Sequence, residues 1–526
     1  MICFDGHHLT VGQLWHVACR GERCELADAA RTRMAESRAL AERLAAEPRA
    51  IYGINTGFGP LSSHRVALED LETHQLHLLH HLSTGQGRLL SSIETRAIMA
   101  ARANALARGY SGIRPEVVDL LVGALNAGVL PEIPSEGSVG ASGDLVPLAH
   151  MARLLVGLGH ARVAEQRLPA PEALAAAGLQ PVRLQCKEGL ALVNGTSVMT
   201  GLMALATHEA AAALSWAELL SACLFQALFA SPEVLCEQLH WARGFRGQSL
   251  VAQRIADHLR THPDYAREID DHAWGSHAKP VDPGAEIQDP YSLRCAPQVI
   301  GAVQESLWHV HAVVTRELNA STDNPLLFPN TGIVIHGGNF YGQQIAMVAD
   351  YLRIGLITAA LLAERQLARL MNWRYSMGLS PLLTGGEPGV NSGMAGCQLL
   401  ATSLAAEARL LGSPASIQTI PTNANNQDVV SMGCIAAKKT REALPLVWKL
   451  LAIEALAVAQ AADLRTREGK DVMGSAYRTL HALVREVSPP LEGDRPLFED
   501  IAQVAELLQD DDVQARCLPP RPDAPA

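Results

Sequence analysis

The sequence predicts a mainly α-helical protein in which an N-terminal domain precedes a bundle of long helices. Hydrophobic residues make up 48% of the 526 residues and aromatic residues only 4%. The chain is also rich in alanine and leucine, which favour helices. After residue 190, long stretches of this composition occur at about 197–231, 299–320, 341–372, 396–411 and 428–465. Helices this long and apolar bury themselves against one another, which predicts a bundle.

Three consecutive regions follow from this pattern. We predict an N-terminal domain at 1–190, the helix bundle at 191–510 and a disordered tail at 511–526, where the chain ends in LPPRPDAPA. The first region is expected to contain shorter helices at 26–46, 68–82, 92–108, 114–128 and 148–158. We expect a small polar excursion with short strands or turns at 159–188. A longer polar excursion is predicted at 262–290, of the kind that is often functional or mobile.

Charge and cysteine content restrict the possible partners and compartment. The net charge is −11 and no basic run occurs, which argues against nucleic acid as a partner. The N-terminus lacks the pattern of a signal peptide, and the longest uncharged apolar runs, such as 354–363, are too short to cross a bilayer. The ten cysteines are scattered without a C-x-x-C pair. We therefore expect a cytoplasmic protein with free thiols and no membrane partner.

One loop stands out between two predicted helices. The stretch 130–150 reads LPEIPSEGSVGASGDLVPLAH, and its three prolines and three glycines exclude a helix or a central strand. At its centre lie Ala141, Ser142 and Gly143, followed by Asp144. A loop of this composition, held between helices, is expected to be tightly constrained.

The central tripeptide has a specific chemical possibility. In a tight bend the amide nitrogen of Gly143 can reach the carbonyl carbon of Ala141, because glycine has no Cβ to block the approach. Ring closure, with loss of one water from the ring and one from Ser142, would give a methylidene-imidazolone with an electrophilic carbon. Asp144 stands where a carboxylate could handle the protons. The alternative is an ordinary helix start with Asp144 as its cap, and the tripeptide alone does not decide.

Motifs elsewhere in the chain favour the ring. In order, they are YGINTGFGPL at Tyr52, GSVGASGDLVPLAH at Gly137, ALVNGTS at Ala191, QDPYSLRCAPQ at Gln288, ELNASTDNP at Glu317, HGGNFYGQ at His336 and NNQDVVSMG at Asn425. From about residue 9 to about 508 the chain resembles the aromatic amino-acid ammonia-lyase family, which comprises histidine, phenylalanine and tyrosine ammonia-lyases and related aminomutases. The resemblance implies the mainly α fold of histidine ammonia-lyase, with a ring-bearing N-terminal domain.

The resemblance also implies a cofactor and an assembly. The cofactor is a 4-methylidene-imidazole-5-one formed from Ala141, Ser142 and Gly143, without a metal. Asp144 and Asn194 would support its formation. The expected assembly is a homotetramer in which three subunits contribute to each active site. Long alanine-rich helices with few charges are consistent with burial between subunits.

Further roles follow from the matched motifs. Tyr52 matches the catalytic base that removes a weakly acidic β-proton, a task for a tyrosine whose surroundings favour the phenolate. Tyr291 matches a second essential tyrosine, and Arg294 matches the guanidinium that pairs with the substrate carboxylate. Read alone, each has a plainer interpretation, as a core tyrosine or a surface ion pair. The remaining matches lie near the ring or the substrate: Asn194, Gln288, Asn324, Phe340, Asn423 and Gln427.

The pair His81-Leu82 points to the substrate. In the family the matching pair surrounds the far end of the substrate ring, and His-Leu resembles the tyrosine enzymes, whereas phenylalanine enzymes resemble Phe-Leu and histidine enzymes Ser-His. A neutral imidazole can bond a phenol hydroxyl, but a benzyl group leaves it without a partner. Gln427 agrees, since histidine enzymes tend to carry Glu there. We expect conversion of L-tyrosine to p-coumarate; phenylalanine or histidine ammonia-lyase and tyrosine 2,3-aminomutase are the alternatives.

Two interpretations outside this family remain open. His74, His77 and His81 share one face of a predicted helix, with Glu72 nearby, and such a face could bind a divalent metal in a hydrolase. However, the sequence contains no H-E-x-x-H motif. A non-catalytic helical scaffold is the other possibility, but it gives no reason for the Gly/Pro-rich loop.

Overall fold

The computed structural model describes residues 1–164, 166–272 and 288–519 and is mainly α-helical, as the sequence predicts. The α-helices in these residues are α1 (Val11–Arg20), α2 (Asp28–Ala45), α3 (Leu71–Leu82), α4 (Ser92–Ala107), α5 (Pro115–Asn126), α6 (Leu145–Leu155), α7 (Ala170–Ala176), α8 (Glu188–Val193), α9 (Ser197–Ala227), α10 (Glu237–Arg243), α11 (Arg246–Leu259), α12 (Pro263–Asp270), α13 (Tyr291–Arg294), α14 (Ala296–Leu318), α15 (Gln343–Met371), α16 (Ala395–Leu410), α17 (Gly433–Arg467), α18 (Ser475–Val487), α19 (Phe498–Gln509) and α20 (Asp511–Cys517). The strands are β1 (Ile2–Phe4), β2 (Cys24–Leu26), β3 (Gln86–Leu89), β4 (Val129–Pro131), β5 (Pro134–Glu136), β6 (His160–Val163), β7 (Gln166–Pro169), β8 (Leu326–Phe328) and β9 (Ile333–Ile335).

The strands form four small sheets in the described part of the chain. β1 pairs with β2 in parallel, and β3 pairs with β5 antiparallel. β4, β6 and β7 form a three-stranded antiparallel sheet, and β8 pairs with β9. The short strands predicted between residues 159 and 188 are thus present as β6 and β7.

Two compact units are built from discontinuous segments. The first comprises Met1–His208, Val310–Asp350 and Pro414–Arg441, and the second comprises Glu209–His309, Tyr351–Ser413 and Glu442–Ala526. The predicted boundary between residues 190 and 191 divides the chain at one point along its length, whereas each of these units is built from three separate segments. The prediction describes a different kind of division and stays a prediction.

Helix caps and a local core shape the first unit. Thr10 and Ser91 begin α1 and α4 with capping boxes, in which the hydroxyl and a following Gln or Glu satisfy the first amides. A cluster of apolar side chains from α2, α3 and β8 packs with Ile51 and Ile54. This cluster fixes the base of the loop that carries Tyr52.

Long-range hydrogen bonds from buried side chains support the second unit. Arg465 of α17 is fully buried and donates to the carbonyl oxygens of Ala227, Ser376 and Met377. The Trp216 indole donates to the Leu508 carbonyl at 2.7 Å. Buried donors that meet carbonyl groups in this way avoid the desolvation penalty of an unpaired polar group.

The five long helices predicted from composition are present as α9, α14, α15, α16 and α17. Among the described residues, α9 and α15 are long and apolar enough to span a membrane. The uncharged apolar runs in the sequence are shorter than these helices and therefore do not indicate their length. In their most apolar windows, 94% and 72% of the residues are buried inside the structure. Core helices of soluble proteins pass the same test, so these two helices are weak evidence for a membrane.

Other expectations from the sequence need correction. The tail was expected to lack structure from residue 511, but Asp511–Cys517 is helical because the Asp510 carboxylate accepts two first-turn amides and Val513 and Cys517 are buried. Residues 520–526 lie outside the described residues. The excursion predicted at 262–290 begins with α12, and its residues 273–287 also lie outside them.

Candidate active site

A cavity of about 1090 Å³ in the first unit contains most of the predicted site residues. Its walls come from segments far apart in the chain, which the fold of this unit brings together. The predicted residues among its lining are Tyr52, His81, Leu82, Ala141, Ser142, Gly143, Asn194, Asn324, Phe340, Asn423 and Gln427.

The Ala-Ser-Gly loop is bent at its second and third residues. Ser142 and Gly143 both adopt left-handed backbone conformations, with φ of 55° and 75°. Such a φ is uncommon for a residue with a side chain, so Ser142 is held there by its surroundings. A Cβ on Gly143 would lie only 2.1 Å from the Gly195 carbonyl oxygen, so only glycine fits at that position.

Side-chain amides hold Ser142 from two sides. Asn194 Nδ2 donates to the Ser142 carbonyl oxygen at 2.8 Å, and Gln427 Nε2 donates to Ser142 Oγ at 3.1 Å. The loop is also anchored by the Asp144 amide, which donates to the Gly195 carbonyl at 2.8 Å. These contacts constrain the Ser142 hydroxyl, which ring formation would remove as water, and the Ser142 carbonyl, which would remain as the ring carbonyl.

Asp144 is fully buried beside the loop, with donors on both carboxylate oxygens. The first-turn amides of Val198 and Met199 in α9 donate to Oδ2 at 3.0 and 2.9 Å, and Ser138 Oγ donates to Oδ1 at 3.1 Å. Burial raises the pKa of Asp144 to about 7, although these donors oppose the shift. The side chain therefore does not cap α6, as the ordinary interpretation supposed, but meets the start of α9. A carboxyl group with this pKa can both accept and release a proton near neutral pH.

Tyr52 projects from the Gly-rich loop into the same cavity. The Gly59 amide donates to Tyr52 Oη at 3.3 Å, and the tyrosine ring meets His336 edge-on with centroids 6.1 Å apart. Accepting this bond leaves the hydroxyl proton free to point elsewhere.

The histidines of α3 serve separate purposes. His74 stacks on Phe58 with centroids 4.4 Å apart, and its Nε2 lies 3.2 Å from the Thr56 carbonyl oxygen. Burial is the largest cause of the lowered pKa of His74. His74 therefore ties the Tyr52 loop to α3. No group of three or more His, Cys, Asp or Glu side chains suited to a metal occurs within the described ranges, so the proposed face of His74, His77 and His81 does not form a ligand set.

His81 has a defined hydrogen-bonding direction. Its Nδ1 lies 3.1 Å from the His77 carbonyl oxygen, which can only accept a hydrogen bond. The neutral imidazole must therefore carry its proton on Nδ1, and Nε2 is left as an acceptor. Leu82 contributes an apolar side chain to the cavity wall, and His81 contributes a hydrogen-bond acceptor.

The remaining lining residues surround the cavity from other segments. Asn324 Oδ1 accepts from the Gly337 amide at 2.7 Å, which fixes the side chain next to β8. Phe340 contributes an aromatic wall. Asn423 has φ of 53° within an exposed turn, a conformation that asparagine tolerates better than most residues.

Three predicted residues belong to the second unit and not to the cavity lining. Gln288 is exposed, and Tyr291 is 71% exposed at the start of α13. The Arg294 guanidinium lies 4.7 Å from the centroid of the Tyr291 ring, and Arg294 Nε has no hydrogen-bond partner. The catalytic role of Tyr291 and the substrate-binding roles of Gln288 and Arg294 stay predictions.

Several contacts were not anticipated from the sequence. Ser138 and Gly195 lie inside motifs that the sequence singled out, but their contacts with Asp144 and Gly143 depend on tertiary structure. Arg102 is buried below Asn194, and its only signal in the sequence is weak: it is one of three arginines in the predicted helix 92–108 and is flanked by alanines.

Comparison with known proteins gives a consistent result. Residues 9–486 match the family described as aromatic amino acid lyase. The tyrosine ammonia-lyase of Cereibacter sphaeroides is 43% identical over 511 residues, which cover 95% of this chain and 96% of that protein. The histidine ammonia-lyase of Symbiobacterium thermophilum is 41% identical over 515 residues, covering 97% of each.

A solved structure agrees with these relatives. The tyrosine aminomutase from Streptomyces globisporus matches with a TM-score of 0.91 at 37% identity, covering 99% of each chain. Because the similarity to enzymes named for tyrosine and for histidine is almost equal, the substrate has to be argued from the cavity itself.

Proposed function

Because the chain belongs to the aromatic amino acid lyase family, we propose that it is a carbon–nitrogen lyase that converts L-tyrosine to p-coumarate and ammonia. In this reaction the Cα–N bond breaks, a β-proton is lost and a carbon–carbon double bond forms. The observation that carries the proposal is the meeting, in one cavity, of Tyr52, the Ala141-Ser142-Gly143 loop and His81.

The loop geometry fits self-processing to a 4-methylidene-imidazole-5-one. That group would supply an electrophilic carbon to activate the substrate toward loss of ammonia. Asn194 holds the Ser142 carbonyl, and Gln427 donates to the Ser142 hydroxyl that has to leave as water. Asp144, with its pKa raised to about 7, is suited to handle the protons of processing.

Tyr52 is the proposed base. Its oxygen accepts a hydrogen bond from the Gly59 amide, a contact that also suits a phenolate oxygen. His74 and Phe58 hold the loop that carries it, so the base is fixed relative to the cavity wall. A fixed base is effective because the β-proton of an amino acid is only weakly acidic.

His81 is the proposed selector for tyrosine. Its acceptor Nε2 can take the proton of a substrate phenol, whereas a phenylalanine ring would leave that nitrogen without a partner. His81 is exposed in the single chain, so the penalty applies once the substrate and the proposed neighbouring subunit cover it. An unsatisfied buried polar group then costs about 1–3 kcal/mol, which corresponds to about 5- to 150-fold in kcat/KM. We therefore infer a preference for tyrosine over phenylalanine.

Neighbouring subunits are proposed to complete the site. The cavity wall includes apolar side chains that are highly exposed in a single chain, among them Leu61 and Val429, and the nearby Ile417 and Ile420 are exposed too. Exposed apolar surface of this kind marks an interface. We infer a homotetramer in which Tyr291, Arg294 and Gln288 reach the cavity of another copy. There the planar guanidinium of Arg294 would pair with the substrate carboxylate.

The cysteines support a cytoplasmic location for this enzyme. All ten cysteines are free thiols in the structure. Free thiols are typical of reducing compartments, and we propose the cytoplasm on that ground.

A tyrosine 2,3-aminomutase is the second candidate, and the similarity to the Streptomyces globisporus enzyme favours it. Such an enzyme shares the ring and the tyrosine pocket but returns ammonia to the β-carbon. The two differ in how long ammonia is held after elimination, so the products distinguish them.

Product analysis tests the proposal directly. The purified chain is incubated separately with L-tyrosine, L-phenylalanine and L-histidine, and chromatography with mass spectrometry follows arylacrylates, urocanate and β-amino acids. We expect p-coumarate and ammonia from tyrosine as the fastest reaction. β-Tyrosine as the main product would identify an aminomutase, and urocanate would identify histidine as the substrate.

The intact mass of the purified chain tests the ring. We expect a loss of two waters from the translated mass, and a Ser142→Ala variant that is folded, inactive and unprocessed. If the parent has the full translated mass, ring formation is excluded and the lyase proposal fails with it.

A further inference from the structure

We propose that Arg102 is a positioning residue for self-processing, because its guanidinium holds the backbone on which the Ala141-Ser142-Gly143 loop rests. The inference rests on the proposed function, since only a self-processing loop needs such support. Arg102 lies on α4, outside the cavity lining, and its hydrogen bonds go to Ala191, Asn194 and Ser197 and not to the three residues that would form the ring.

The guanidinium closes the turn between α8 and α9. Arg102 is 1% exposed, and its Nη2 donates to the carbonyl oxygens of Asn194, at 2.9 Å, and Ala191. Nη1 lies 3.4 Å from Ser197 Oγ at the start of α9. One planar side chain thus fixes the end of one helix and the beginning of the next.

The same turn supports the reactive loop. Asn194 is the residue whose side-chain amide holds the Ser142 carbonyl. Gly195 accepts a hydrogen bond from Asp144 and is packed against Gly143. Arg102 is packed directly behind Gly195, since a Cβ there would lie 2.5 Å from Nη1. Arg102 therefore holds the turn in place, and the turn in its place contacts and holds the loop.

Charge makes this position more than a packing contact. A buried cation is costly unless carbonyl groups or carboxylates surround it. Burial lowers the pKa of Arg102 to about 10, so it remains charged at neutral pH, and Asp323 and Asp144 attract it. Lys187 pairs with Asp323 at 2.9 Å, whereas Asp323 Oδ1 has no hydrogen-bond partner. The attraction of Arg102 favours the carboxylate form of Asp144, the form that can accept a proton.

Arg102→Met tests the inference, with intact mass as the readout. Methionine fills much of the space but leaves the Ala191 and Asn194 carbonyls without a donor. We expect most of the purified variant to keep the translated mass or to lack only one water. We expect kcat per total protein to fall by the same factor as the processed fraction. Arg102→Lys keeps the charge and one donating nitrogen in place of the guanidinium, so it should recover part of the processing.

Arg465→Met is the matched control for general destabilisation. Arg465 is 0% exposed and, like Arg102, donates to backbone carbonyls, three in its case and two for Arg102, but it lies in the second unit. We expect it to lower Tm by an amount similar to Arg102→Met and to leave the loss of two waters complete.

The outcomes separate this inference from the proposed function. If the parent is unprocessed, the proposed function fails. If the parent and Arg102→Met are both folded and fully processed, only the positioning role is overturned. If Arg102→Met does not fold, Arg102→Lys decides: incomplete processing supports the role, and complete processing at a lowered Tm overturns it. Incomplete processing of Arg465→Met would reduce the role of Arg102 to stability alone.

Discussion

Gly143 is in contact with the backbone of Gly195: a Cβ added to Gly143 would lie 2.1 Å from the Gly195 carbonyl oxygen. That oxygen cannot move away freely, because it accepts the Asp144 amide at 2.8 Å. The reactive bend and the turn below it are therefore fitted to each other at backbone level. The absence of one methyl group is a requirement of the site.

Gly143→Ala is expected to block ring formation. The added methyl group must displace the loop from Gly195, and the φ of 75° is itself unfavourable for alanine by about 1–2 kcal/mol. We expect a folded protein with the unreduced translated mass. Gly178→Ala is the control, because Gly178 has φ of 71° and no atom within 4 Å of the added Cβ. A fully processed Gly143→Ala chain would show that the contact does not matter.

Tyr52→Phe is expected to remove most of kcat and to leave the ring intact. Loss of a general base typically lowers the rate by about 10²- to 10⁴-fold. The Gly59 amide also loses its acceptor, so a small decrease in stability is expected. Activity and intact mass are measured together, with Tyr110→Phe as control because Tyr110 packs against Phe328, outside the cavity lining. Near-parental turnover by Tyr52→Phe would mean that another group is the base.

Composition and motifs predict the elements, while the contacts depend on tertiary structure. The apolar stretches that form α9 and α15 can be recognised in the sequence as buried helices, since an apolar helix of that length needs burial. The Gly/Pro-rich composition excludes a helix or a central strand at Ser142, and the motifs elsewhere in the chain favour the ring over an ordinary helix start. Asp144 is different: its partners are amides some 54 and 55 residues further along the chain. No local pattern shows that it meets α9 and does not cap α6.

Some features could not be predicted because they depend on a single side-chain geometry. The metal interpretation of the α3 histidines followed from helical spacing alone, and spacing does not reveal that His74 stacks on Phe58. In the same way, α20 forms because of one capping aspartate and two buried side chains, although the composition of the tail favours disorder. The burial of Arg102 is not evident from the sequence, since cations in alanine-rich helices usually face solvent.

His258 is expected to make the protein sensitive to acid. Burial lowers the pKa of His258 to about 4 from 6.5, and its Nε2 has no hydrogen-bond partner. The folded state therefore binds fewer protons than the unfolded state between these pH values. The stability contributed by neutral His258 is present above about pH 6.5 and is lost as the pH falls toward 4. The loss is on the order of 3 kcal/mol.

His258→Leu should remove this part of the pH dependence. Chemical denaturation of the parent and the variant at several pH values between 7 and 4 gives the difference in the free energy of unfolding. We expect the difference to change in favour of the variant as the pH falls. His160→Leu serves as control because His160 is exposed. Parallel pH curves for the parent and His258→Leu would show that the imidazole is protonated in the folded state without penalty.

The last prediction concerns substrate choice and the direction of one hydrogen bond. Because Nδ1 of His81 donates to the His77 carbonyl, Nε2 is an acceptor and requires a donor on the substrate. We expect kcat/KM to follow this requirement: L-tyrosine and 4-amino-L-phenylalanine, which donate, should exceed L-phenylalanine by about 5- to 150-fold. His81→Phe should invert the order of tyrosine and phenylalanine. His77→Phe is the matched control, since it changes a cavity side chain but keeps the carbonyl that orients His81. If the tyrosine-to-phenylalanine ratio is the same in the parent and in His81→Phe, His81 does not select the substrate. If 4-amino-L-phenylalanine is rejected as strongly as phenylalanine, Nε2 is not the acceptor.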